Sequence, residues 1–397
     1  MSGRRFQAWL GVITCGLVCM AGACTIEGGG GDSDVNESVG TAPSGAATLS
    51  AGPRRGSSKA LPGGMSGLHV IGNVLQNGAG RPVRLLGVNR SGTESACAEG
   101  WGLFDGDSDA KSVTAIKSWH VNTVRVPLNE SCWLGINGVK SKWSGDIYRK
   151  AITDYVQLLT DNGLAVSVDL HWAAPGDKKA AKQEPMPNRD HSITFWTEVA
   201  TVFKDNSAVV FEPYNEPIPD GDQDTTEAWR CWRDGGTCAQ IDYQVAGMQE
   251  LVNAIRATGA KNVVFLGGVQ WAGTLTRWLE FKPQDPTGNL GAAWHVYNMG
   301  CSSPESCWND SMLPLLDTGA RLASEVPVFA SEIGEDDCTA RFINPLMDWL
   351  DQKRISYLAW TWDTWPKDCY SLIKNYDGTP ATSYGEGLRS HLIRVNP

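Results

Sequence analysis

YRKAITDYVQLLTDNGLAVSVDLHW, residues 148–172, decides the fold. Its first part repeats apolar side chains at intervals of three and four (Ile152, Tyr155, Val156, Leu158, Leu159), the period of a helix with one buried face, and Gly163 offers the left-handed residue that stops it. Its second part, AVSVDLH (165–171), is too short for a helix, rich in valine and largely apolar, as a strand covered on both sides must be. A helix delivered straight into a buried strand is the repeating element of an α/β protein.

The same alternation extends in both directions. Strands are predicted at 83–89, 123–129, 165–171, 209–215, 262–268, 292–298, 326–333 and 356–363, with further helical stretches at 242–259 and 340–354. Eight such units close into a (β/α)8 TIM barrel, with an open doubly wound sheet as the alternative. Ahead of them LHVIGNVLQNGAGRPVRL (68–85) places Asn77-Gly78 between apolar runs, which predicts a short N-terminal β-hairpin plugging the barrel bottom. No internal repeat or second domain is visible, so residues 66–397 read as one domain.

Composition agrees with a soluble globular chain: 397 residues, 42% hydrophobic and 20% charged. A disordered chain, a collagen-like fibre and a polytopic membrane protein are excluded as descriptions of the whole. With 34 Lys+Arg against 44 Asp+Glu, the net charge of −10 argues against nucleic acid and anionic membrane surfaces as partners. Seventeen tryptophans are the unusual entry in this composition, because their broad apolar faces suit flat ligands such as sugar rings as well as cores.

The first residues read as an address. Arg4 and Arg5 precede an apolar run from Ala8 to Ala23, too short to span a bilayer, and Ala21-Gly22-Ala23 forms a small-residue cleavage site for a signal peptide over 1–23. Cys24 directly follows, so a lipoprotein anchored through that cysteine and a freely secreted protein both fit, while Phe6 after the arginine pair speaks against twin-arginine export. Residues 24–65 are dominated by Gly, Ser, Pro and Thr and read as a flexible linker. Eight of eleven cysteines lie beyond the signal: Cys97, Cys132, Cys231, Cys238, Cys301, Cys307, Cys338 and Cys369. An even number in an exported chain implies disulfides, for which short loops favour Cys231 with Cys238 and Cys301 with Cys307; the absence of any CxxC pair leaves a zinc cluster a weak alternative.

Barrel chemistry sits at the carboxyl ends of strands, and there costly polar groups interrupt apolar runs. They are Arg125 on strand 2, Asp169-Leu170-His171-Trp172 on strand 3, Asn215-Glu216-Pro217 after strand 4, and His295-Val296-Tyr297 on strand 6. Strand 7 contributes Glu332, followed by Glu335 and Asp336, and strand 8 contributes Trp360 and Trp362. Taken singly, each has an ordinary structural role available, as an ion-pair partner, a core histidine or a core tryptophan. Taken together, on six strands converging on one mouth, they suggest glycosidic-bond cleavage, which needs a proton donor and a carboxylate at one sugar carbon. Glu216 would be the acid/base and must hold its proton, while Glu332, oriented by Arg125 and Tyr297, would stay ionised as nucleophile. Asn215 would bond the sugar 2-hydroxyl, His295 would tune Glu216, His171 would bond a sugar hydroxyl, and Trp362 would form the platform beneath the sugar.

At these residues the sequence resembles glycoside hydrolase family 5, the retaining (β/α)8 cellulase family rich in bacterial endo-β-1,4-glucanases. The family's Arg, His, Asn-Glu, His-x-Tyr, Glu and Trp look like Arg125, His171, Asn215 with Glu216, His295 with Tyr297, Glu332 and Trp362, with Trp360 as the alternative counterpart on the same strand face. GVNRSGTE (87–94), VRVPLNESCWLG (124–135) and YNEPIPD (214–220) are similar to stretches of bacterial cellulases, and the resemblance runs over about 68–395. It implies a hydrolase that needs no cofactor or metal, acting as a monomer on cellulose or soluble β-glucan, with mannan and mixed-linkage glucan as the nearest other substrates. A catalytically silent carbohydrate-binding surface lipoprotein is the rival from another class. Flanking sugar subsites would use Trp101, Trp133, Trp172 or Trp271, and Glu335 and Asp336 would be polar loop residues. Within this reading Cys97 with Cys132, and Cys338 with Cys369, would staple adjacent loops of the mouth.

Overall fold

Short β-branched runs become strands where both faces find cover, and the computed structural model, which describes residues 64–299, 303, 305–309 and 322–396, holds eight of them in one closed sheet. They are β1 (Leu86–Asn89), β2 (Thr123–Asn129), β3 (Ala165–Trp172), β4 (Val209–Glu212), β5 (Val264–Gly267), β6 (Leu290–Tyr297), β7 (Val328–Gly334) and β8 (Ser356–Ala359). Each pairs in parallel with the next and β8 pairs with β1, so the chain is a (β/α)8 barrel and the open-sheet alternative falls away. The signal and linker readings, 1–23 and 24–65, lie outside the described residues apart from the last two positions.

Helices form the outer layer. Asp146–Asp161 buries Tyr148, Ile152, Tyr155, Val156 and Leu159, and Gly163 follows it at φ +83°. The helix read at 242–259 begins only at Met248, because Val245 and Ala246 pair with Gly235 and Gly236 instead. Strands β4 and β8 end three and four residues before their predicted limits. Pro213 follows Glu212 and has no N–H for the ladder, so Asn215 and Glu216 stand on the loop after the strand.

The N-terminal hairpin pairs His69–Ile71 with Val74–Gln76, turning at Gly72-Asn73 with Gly72 at φ +61°. Asn77-Gly78 is therefore a turn, but not this one: Asn77 Oδ1 accepts the N–H groups of Ala79 and Arg81 at 3.1 Å each, after the hairpin has closed. The hairpin's Leu68 and Leu75 pack on Val210, Phe265, Phe329 and Leu358, plugging the barrel at its amino end. Polar chemistry is thereby confined to the other end.

At least eight of the seventeen tryptophans are fully buried, including Trp119, Trp196 and Trp294, so much of the excess is core. Disulfides join Cys97 to Cys132, Cys231 to Cys238 and Cys338 to Cys369, the cysteine use of an oxidising compartment. Cys307 is also disulfide-bonded; Cys301, its expected partner, lies outside the described residues. Among the described residues no helix is long and apolar enough to cross a membrane.

Candidate active site

An arginine inside a barrel survives only if its charge is answered, and Arg125, fully buried on β2, is answered on every side. Its Nε donates to Glu212 Oε1 at 3.1 Å, one Nη to Asn89 Oδ1 at 2.9 Å and to Glu332 Oε1 at 2.5 Å. The other Nη donates to Asn215 Oδ1 at 2.8 Å and lies 3.2 Å from Asp169 Oδ2. Burial opposes the guanidinium's charge, but Asp169, Glu212 and Glu332 outweigh it and keep Arg125 protonated. Glu212 and Asn89 were not singled out from sequence, although a carboxylate inside the run VVFE was a readable signal.

Above this floor stand the two glutamates. Glu332, on β7, also accepts from the Tyr297 hydroxyl at 2.6 Å, and His295 Nδ1 lies 3.6 Å from its Oε2. Burial pushes this carboxyl up, yet the charges of His295, Arg125 and His171 and the Tyr297 hydrogen bond bring it down to about 2. Burial, reinforced by the charges of Glu332 and Glu216, keeps Tyr297 protonated and hence a donor. Glu216 faces its partner from the β4 loop, with His295 Nδ1 2.9 Å from its Oε1 and Ser331 Oγ 3.2 Å from the other ring nitrogen. One carboxylate oxygen of each glutamate and a His295 nitrogen all lie within 4.8 Å of one another. β6 and β7 shift register between Trp294 and His295, which sets His295 opposite Glu332.

These three residues are also the one described group with donors close enough for a metal ion. The Arg125 guanidinium at 2.5 Å already neutralises one Glu332 oxygen, so the donor set fits a charged, hydrogen-bonded acid pair better than a resident cation.

His171 sits at the end of β3 with Nδ1 2.9 Å from Asp169 Oδ2. Burial works against its charge, but Asp169 and Glu94 raise its proton affinity above the ordinary value. Its ring stacks on Trp360 at 5.4 Å between centroids and 7° between planes. The platform expectation therefore moves: Trp362 is 0% exposed and packs edge-on against Trp119, whereas half-buried Trp360 lines the mouth beside His171. Strand β8 ends at Ala359, so the alternation that would place both indoles on one face has lapsed before Trp362.

Among the flanking tryptophans, Trp133 is corrected. It belongs to the short helix Glu130–Leu134 and is buried against Phe195 and Phe203, beyond reach of any sugar. Trp101 is 47% exposed, Trp172 and Trp271 are half-buried, and the main-chain N–H of Trp271 donates to the Pro217 carbonyl beside Glu216. Glu335 is a loop residue whose Oε2 accepts the N–H groups of Phe342 and Ile343, fixing the start of helix Ile343–Gln352, while Asp336 accepts from Asn298 at 2.9 Å. Sequence reasoning missed Gln183, whose side chain meets Asn215 from the β3 loop; a polar residue in an aperiodic loop gives no pattern to read.

Fold and site together define a parallel (β/α)8 barrel with two facing carboxylates at its carboxyl-end mouth. The family model described as cellulase (glycosyl hydrolase family 5) matches residues 77–365, and the chain belongs to that family. It is 25% identical over 305 residues to endoglucanase MaCel5A of Microbulbifer sp. (strain ALW1), covering 74% of this chain and 51% of that protein. It is 26% identical over 325 residues to endoglucanase A of Butyrivibrio fibrisolvens, covering 80% and 65%. The chain thus spans less than two thirds of the length of these curated relatives. Among solved structures, the β-glucanase SdGluc5_26A of Saccharophagus degradans superposes with a TM-score of 0.62 at 19% identity, covering 84% of this chain and 94% of that one, and has also been crystallised with cellotetraose.

Proposed function

We propose that the protein is an exported, retaining endo-β-1,4-glucanase that hydrolyses cellulose or soluble β-glucan by double displacement. The observation that carries this is the approach of Glu216 and Glu332 to within 4.8 Å between oxygens. Retaining pairs stand about 5–5.5 Å apart, whereas inverting pairs need roughly 6.5–9.5 Å to admit a water. Glu332 attacks the anomeric carbon while Glu216 gives its proton to the departing glycosidic oxygen. In the second half Glu216 takes a proton from the water that attacks the glycosyl-enzyme, releasing Glu332 as carboxylate.

The surroundings support each role. Arg125 and Tyr297 hold Glu332 ionised and fix which oxygen faces the sugar. His295 is within hydrogen-bond reach of Glu216. Asn215 is the donor toward the sugar 2-hydroxyl, His171 a hydroxyl partner, Trp360 the platform beneath the reacting ring, and Trp101, Trp172 and Trp271 candidates for the flanking sugars. The β-1,4-glucan assignment is supported by the endoglucanase names of the relatives and by the cellotetraose complex of the structural neighbour. Residues 66–397 are the catalytic domain in this reading, 1–23 the export signal and 24–65 its tether, with or without a lipid on Cys24.

The decisive experiment follows the anomeric proton of the first product by NMR during hydrolysis of a cello-oligosaccharide. The β-anomer appears first if the reading is right, and an α-anomer first rejects Glu332 as nucleophile. A panel of carboxymethylcellulose, barley glucan, mannan and xylan with reducing-end detection fixes the polymer, with the two glucans expected to be cleaved fastest.

A further inference from the structure

The amide of Asn215 cannot choose its own orientation. Arg125 is donor-only, so the Asn215 oxygen must face it, at 2.8 Å, and Nδ2 is turned to the opposite side. There Nδ2 donates to Gln183 Oε1 at 3.3 Å. That contact in turn fixes Gln183, whose Nε2 donates to the main-chain carbonyls of Glu184 at 2.9 Å and Glu216 at 3.1 Å. One half-buried side chain thus touches both the amide beside the acid and the backbone of the acid itself.

The loop that carries Gln183 is clamped on both sides of it. Asn129 Nδ2 donates to the Ala180 carbonyl at 2.7 Å and the Ala180 N–H to Ser131 Oγ at 3.0 Å. Beyond Gln183 the Tyr214 hydroxyl donates to the Glu184 carbonyl at 2.7 Å, and the Ile218 N–H to Pro185. The anchors Asn129, Ser131 and Tyr214 are themselves buried, so Gln183 is held, rather than resting, against Asn215.

The geometry points to Gln183 as a positioning residue for the reaction: it holds one Nδ2 hydrogen of Asn215 so that the other is aimed at the 2-hydroxyl of the reacting sugar. The inference rests on the proposed role of Asn215 and adds the residue that makes that role directional. A donor on the oxygen side, Arg125, and an acceptor on the nitrogen side, Gln183, leave one Nδ2 hydrogen free in one direction; without Gln183 the amide is held on its oxygen side alone and the 2-hydroxyl contact loosens.

The test compares kcat/KM of wild type and Gln183→Met on 2,4-dinitrophenyl β-cellobioside and on its analogue lacking the 2-hydroxyl at the reacting sugar. Methionine keeps the length and removes all three side-chain hydrogen bonds. The ratio of the two substrates within one preparation is independent of how much of the variant folds. The variant is expected to lose roughly tenfold on the hydroxylated substrate, the cost of one directed hydrogen bond, and less than about twofold on the deoxy analogue. Equal losses on both substrates, or no loss on either, overturn the role of Gln183 while leaving Asn215's intact. A wild type indifferent to the 2-hydroxyl removes the role of Asn215, and the inference with it.

Discussion

Arg125 is shared by three carboxylates, and against the burial that pushes Glu332 up, the charges of His295, Arg125 and His171 bring it down. Its value near 2 lies below the ordinary 4.5, so Glu332 contributes stability that is present above about 4.5 and lost as pH falls toward 2. Glu332→Gln is expected to cut hydrolysis by a factor on the order of 10³ or more and to flatten acid unfolding over that window. Circular dichroism against pH, with activity beside it, checks both; substantial residual turnover would displace Glu332. The two tryptophans of the β8 loop should separate cleanly. Trp362→Ala removes a fully buried indole packed on Trp119 and is expected to cost about 3–5 kcal/mol of stability. Trp360→Ala exposes a surface that is already half open, and should weaken turnover on cello-oligosaccharides at least tenfold with a change in Tm of only a few degrees, by calorimetry and initial rates.

At the level of elements, the strands were legible because burial on both faces leaves a plain apolar signature, and every predicted strand overlaps an observed one. What failed were decisions a few residues long. Asn77-Gly78 was a turn signal read one turn too late, since Gly72-Asn73 closes the hairpin. Trp133 was read as a flanking sugar contact, but the short helix Glu130–Leu134 carries it under Phe195 and Phe203. Glu216 and Glu332 stood out in sequence as carboxylates closing apolar runs, although Glu212, a third such carboxylate, pairs with Arg125 instead; Gln183 gave no signal, because its meaning comes only from the side chains it meets. Loop staples were readable from cysteine positions, and the Cys338–Cys369 bridge closes a 31-residue separation between the β7 and β8 loops. Replacing both with serine is expected to cost about 3–4 kcal/mol by the chain-entropy relation, and to weaken activity as well, because the loop it holds carries Trp360 and also Tyr370, whose ring packs edge-on against Tyr297. Denaturant titration is the measure; an unchanged midpoint would mean the loops are fixed by other contacts.

Across the whole molecule, three buried glutamates at the mouth set how stability follows pH. Glu94 after β1, Glu130 after β2 and Glu335 after β7 are each pushed up to about 7, chiefly by burial and only partly relieved by their hydrogen bonds. Between their ordinary 4.5 and 7 the folded state holds protons that the unfolded chain has released, so stability falls as pH rises through that interval. His171 acts in the same direction: its value is raised, so the stability it contributes is present at low pH and lost as pH climbs through it. Glu332 opposes them only in stronger acid. The barrel is therefore expected to be most stable on the mildly acidic side, with Tm dropping by several degrees from pH 5 to pH 8, since about 1 kcal/mol moves Tm by roughly 2 °C at this size. Glu130→Gln isolates the effect. Its carboxylate accepts from Ala174 N–H, Asn188 and Ser192, tying together the two ends of the loop that carries Gln183. An amide oxygen keeps the first two bonds, and the amide nitrogen can donate to the Ser192 hydroxyl, while the charge that burial penalises is gone. The variant should lose less Tm than wild type between pH 5 and pH 8 in a calorimetric series. A wild-type Tm that rises over the same interval would show that ion pairs elsewhere, rather than these carboxyls, govern the pH response.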